Sequence, residues 1–81
     1  MDADVALAQL IDAIRPMAAS PSSKELFLQL LGKAAIKVDA NLVATHKVNR
    51  QHIQALVEHL DVRVAWKLAA KRVLRPHGIT I

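Results

Sequence analysis

Eighty-one residues, 53% apolar and 22% charged, suffice for one hydrophobic core and leave no room for a second domain. Cysteine is absent, which excludes disulfide scaffolds, cysteine-based zinc sites and thiol catalysis. The net charge of +4 is uneven: Arg15, Lys24, Lys33 and Lys37 face five acids in residues 1–40, whereas seven Lys and Arg face only Glu58 and Asp61 in residues 41–81.

The first predicted element is a helix from Ala3 to Ile14. Asp2 is placed to cap it, Leu7, Leu10, Ile11 and Ile14 recur at three-and-four spacing, and Pro16 pushes Arg15 out of helical geometry. Residues 16–23 then read as a connection. Ser22 lies three residues before Glu25, the capping-box spacing, so a second helix is expected to start there. Phe27, Leu30, Leu31, Ala34 and Val38 give it one apolar side, and its end is expected near Asp39–Asn41. Residues 42–47 fit either a short helix or an extended link.

A third helix is signalled by Asn49 as cap, with Val48 and Ile53 at hydrophobic-staple spacing. Ile53, Leu56, Val57 and Leu60 form its apolar stripe. After Asp61 the pattern jumps to Val62, Ala65, Trp66, Ala69 and Val73, and Pro76 and Gly78 end it. Either Asp61 caps a fourth helix, or one helix spans residues 50–75. The continuous helix would be about 39 Å long and would need a partner to cover both of its sides. The break is favoured, because Asp is a poor interior residue and a good cap. The expected fold is all-α, a bundle of three to four helices in a single domain over residues 1–81. Its apolar stripes exceed what so short a chain hides, which predicts a homodimer.

No uncharged run exceeds eight residues, where a membrane-spanning helix needs about 20. Asp2, Asp4 and Asp12 do not suit a secretory signal, so the expected location is cytoplasmic. His52 and His59 would stand about 10.5 Å apart along one helix and cannot share an ion, so no metal and no cofactor are expected. Ser20, Ser22 and Ser23 are explained by a turn and a cap, and two glycines make no phosphate loop. The chain does not read as an enzyme.

What remains is a basic stripe. Arg63, Lys67, Lys71 and Arg75 recur every fourth residue opposite Trp66 and Ala69, and Arg72 and Arg50 add to them. Glu58 and Asp61 precede that helix, and no acid follows to offset the repulsion. Such a stripe suits phosphates, which makes a nucleic-acid-associated or regulatory protein docking through residues 62–75 the first expectation. Gln51, Gln54 and Arg63 are the candidates for reading bases. The stretch Ile53–Leu74 is a poor helix-turn-helix, since its turn at Leu60–Val62 lacks glycine and Lys67 falls where a core aliphatic residue belongs. Val64 and Leu68 beside the stripe support the alternative, an adaptor or inhibitor that lays an apolar helix face on a partner protein, with an acidic protein surface as the partner. A merely solvated face is the third reading.

Overall fold

The computed structural model describes residues 2–80 and shows four α-helices: α1 (Asp2–Ile14), α2 (Pro21–Lys33), α3 (Arg50–His59) and α4 (Val64–Leu74). Among the described residues there is no strand, only an isolated antiparallel bridge between Val38 and Ala44. The all-α bundle is thus present. α1 lies along α4 and α2 packs on α3. His77, beyond the end of α4, contacts Asp2 and Gln9, while Ala13 and Pro16 share a groove with Ala65 and Leu68, so α1 and α4 run antiparallel. Their buried faces meet in one core with Phe27, Leu30 and Leu31 of α2 and Ile53, Leu56 and Val57 of α3. Phe27 and Trp66 meet edge to face at 5.5 Å between centroids.

Pro16 ends α1 at Ile14, but the chain continues as a 3₁₀ turn (Arg15–Ala18) rather than leaving helical geometry at Arg15. The cap of α2 is Ser20, not Ser22: its hydroxyl accepts from Ser23 N at 3.2 Å. Pro21, whose fixed φ suits the first helical position, draws the start two residues earlier than the Ser22–Glu25 spacing implied. Asp2 is itself in α1, and its carboxylate turns to Arg50 and His77 rather than capping.

The second helix ends at Lys33, well short of Asp39. Ala35 N bonds Gly32 O and Ile36 N bonds Leu31 O, a Schellman closure that needs the left-handed conformation at Ala35 (φ 61°). Burial of Ile36 beside Leu31 holds the turn against the cost of a non-glycine residue there. The end of the chain closes the same way: Ile79 N bonds Leu74 O, with Gly78 left-handed (φ 73°). One closure has alanine where the other has glycine, which makes a matched test. Ala35→Gly is expected to raise stability by about 1 kcal/mol and Gly78→Ala to lower it by about as much, since a Cβ there would meet only Arg50 Nη1 at 3.8 Å. Urea denaturation of both variants checks the pair.

Residues 34–49 form an irregular connection rather than a helix. Asp39 Oδ1 accepts from Asn41 N at 2.8 Å and Val43 N at 3.0 Å, which folds the turn back on itself. The start of α3 is as expected. Asn49 accepts from His52 N, His52 Nδ1 accepts from Asn49 N, and Val48 and Ile53 are buried.

A 3₁₀ turn (Leu60–Val62) and an extended Arg63 separate α3 from α4, so residues 50–75 are not one helix. The longest molecular extent is 31 Å, so the overhang that argued for a second copy does not arise. Asp61 does not cap α4. Arg63 stands at the cap position with no side-chain cap bond, and the Asp61 carboxylate pairs with Lys67.

A candidate docking face on the last helix

The register of α4 decides which of its side chains face outward. Trp66, Ala69, Ala70 and Leu74 are buried, while Val62 and Ala65, expected on the apolar stripe, are exposed. Two stripes at three-and-four spacing overlap in Trp66 and Ala69, and packing against α1 and Phe27 selects the one that includes Leu74. The outward side therefore carries Val64, Leu68, Lys71, Arg72 and Arg75.

The six candidate cations divide into two groups. Arg50 opens α3, away from the α4 stripe; its guanidinium bonds the Asp2 carboxylate and donates to His77 O at 2.7 Å. Arg63 lies 5.2 Å over the Trp66 ring, a cation–π contact. Lys67, with a side chain only 24% exposed, sets Nζ 2.8 Å from Asp61 Oδ1. That pair supplies the acid the sequence spacing had denied the stripe. Lys71, Arg72 and Arg75 are exposed and form no salt bridge among the described residues. Because residues four apart drift about 40° per step, the stripe winds from beside Trp66 at Arg63 to the outward side at Arg75.

The structure also exposes an apolar ridge beside these cations. Val62, Val64 and Leu68 are 59%, 74% and 55% exposed. Leu68 and Ala65 border a shallow groove of about 450 Å³ shared with Ala13, Pro16 and Met17, and Arg72 is the charged residue on its rim. Nothing in the sequence announced Pro16 and Met17 as neighbours of Leu68, because the groove exists only once α1 lies antiparallel to α4. Gln51 and Gln54, the base-reading candidates, are exposed on α3 and not on this face.

A second polar cluster joins the ends of the described chain. His77 Nδ1 lies 2.9 Å from Asp2 Oδ1 and Nε2 lies 2.7 Å from Gln9 Oε1, while Arg50 holds the other Asp2 oxygen. The hydrogen bond from His77, then that from Arg50, holds the Asp2 carboxyl below its ordinary value of 3.8. A carboxyl lowered in the folded state stabilises it above that ordinary value, and the contribution is lost as pH falls through the lowered one. Asp2→Asn is therefore expected to lower the melting temperature at neutral pH, with the gap to wild type closing under acid. Thermal melts across that range check it.

Among the described residues no helix is long and apolar enough to cross a membrane, and no three His, Asp or Glu side chains are placed to hold a metal ion. No protein family, curated protein or solved structure matches this chain.

Proposed function

We propose that this protein acts by binding, and that the outward face of α4 docks on a partner protein. Val64 and Leu68 would enter an apolar contact, and Lys71, Arg72 and Arg75 would meet carboxylates at its edge. The observation that carries this reading is the exposure of Val62, Val64 and Leu68, large apolar residues just before and in the first half of α4, next along the helix to Lys71, Arg72 and Arg75. Exposed apolar residues grouped in this way mark interaction sites more often than lone ones do. Of the six cations, Arg50 and Lys67 are paired with the Asp2 and Asp61 carboxylates and Arg63 is held over Trp66, which leaves Lys71, Arg72 and Arg75 as the unengaged ones on this face.

Nucleic acid is the second reading, and Lys71, Arg72 and Arg75 are what favour it. Three phosphate contacts would give a log–log salt slope of about −2.7 on duplex DNA. Titration of a fluorescent duplex between about 50 and 200 mM salt separates the two. The docking reading expects little duplex binding and no steep salt dependence. It also expects nuclease-treated extract to yield a partner whose capture Leu68→Asp abolishes and Lys24→Glu does not. Duplex binding with that slope, unchanged by Leu68→Ala and lost in Lys71→Glu/Arg75→Glu, would overturn it. Sedimentation shows whether a second copy of the 8.9 kDa chain is itself the partner.

A further inference from the structure

Two histidines in and beside the connection from α2 to α3 have their protons placed by the backbone around them. His46 Nε2 lies 3.0 Å from Lys37 N, and His46 Nδ1 lies 3.0 Å from Lys47 O. An amide N–H can only donate and a carbonyl can only accept, so Nδ1 carries the proton and Nε2 is bare. His52 Nδ1 accepts from Asn49 N at 3.1 Å, which leaves its proton on Nε2. The two rings stand edge to face, 5.4 Å apart. Each is neutral in this arrangement, and each uses its bare nitrogen to hold a backbone amide.

We propose that His46 and His52 form an acid-sensitive latch: neutral rings close the 37–49 connection onto the start of α3, and protonation releases it. A proton on His46 Nε2 sets N–H against the Lys37 N–H, and a proton on His52 Nδ1 does the same at Asn49. Both bonds that the rings accept are then lost. The charged groups of the segments that meet here are Lys37, Lys47 and Arg50, with Asp39 as the carboxylate. That carboxylate bonds the Asn41 and Val43 amides, and Arg50 is turned to Asp2 and His77. Two imidazolium rings 5.4 Å apart would also repel each other. The released connection binds protons that the closed one does not, so release gains as pH falls. Histidine is the side chain whose ordinary titration falls between about pH 5 and 8. Release would loosen Leu42 and Val48, buried residues that this segment contributes to the core.

The test is ¹⁵N NMR of the whole chain with amide exchange. At about pH 7.5 the expected result is a bare Nε2 on His46 and a bare Nδ1 on His52. Between about pH 7.5 and 5.5 the protection factors of the Lys37 and Asn49 amides should fall by at least about tenfold, while that of Leu56 in mid-α3 holds. In His46→Gln/His52→Glu the amides meet oxygens that stay acceptors at these pH values, glutamate being the usual closing residue of a capping box. That variant should keep both amides within about twofold of their neutral-pH protection. If it does not fold, His52→Glu alone is read at Asn49. The opposite tautomers at neutral pH, unchanged wild-type protection, or an equal loss in the variant would each overturn the latch.

Discussion

Replacing Trp66 with alanine is expected to destabilise the fold by about 3–5 kcal/mol, the range for deleting a large buried aromatic side chain. Trp66 is 1% exposed, and its ring meets Phe27 of α2 edge to face while Arg63 lies over it. Both contacts go with the ring, and α4 loses its main anchor to α2. A domain of this length has about 4–12 kcal/mol of stability in all, so the variant loses between about a quarter of it and all of it. Its melting temperature should fall by more than about 12 °C. Urea denaturation followed by circular dichroism measures the loss. A change below about 1 kcal/mol would mean that the ring does not occupy the core. Phe27→Leu, which keeps most of the volume at that site, should cost much less and serves as the matched control.

The parts of this fold that were legible in the sequence are those set by neighbours along the chain. Asn49, Val48 and Ile53 announce the start of α3 because cap and staple act within one turn, and the structure has all three in place. The stripe Ile53, Leu56, Val57 and Leu60 was legible for the same reason, and every member is buried. The end of α2 was not. Gly32 suggested nothing, and the left-handed residue is Ala35, held by the burial of Ile36 on Leu31 rather than by residue type. The face of α4 was half legible, since Trp66 and Ala69 belong to both possible stripes and only contact with α1 and α2 chooses between them.

The candidate site was legible as a set of residues and illegible as a surface. Lys67 meets Asp61 across the break before α4, and Arg50 meets Asp2 and His77 from the ends of the described chain. Neither pairing follows from helical spacing, so no count of charges along one helix separates Lys71, Arg72 and Arg75 from the rest. The His46–His52 contact has the same origin. His46 lies in a connection whose path is fixed by the Asp39 turn and the Val38–Ala44 bridge, and those bring it to the ring that closes the α3 cap.

The break between α3 and α4 makes opposite demands on two leucines eight residues apart. Leu60 ends the α3 stripe inside the 3₁₀ turn and is fully buried, whereas Leu68 lies on the outward face of α4. Leu60→Ala is expected to cost about 2–5 kcal/mol, the sum of lost burial and an incompletely filled cavity. Leu68→Ala should stay within about 0.5 kcal/mol of wild type in the isolated protein, because more than half of the residue is exposed. An uninterrupted helix would set residues eight apart within about 80° of each other, and both would then tend to share one environment. The 3₁₀ turn and the extended Arg63 are what separate them. Equal losses at the two positions under urea denaturation would mean that the outward face is covered, by a second copy or by a different register of α4. Repeating the Leu68→Ala measurement across a hundredfold range of protein concentration distinguishes those, since only self-association makes the loss depend on concentration.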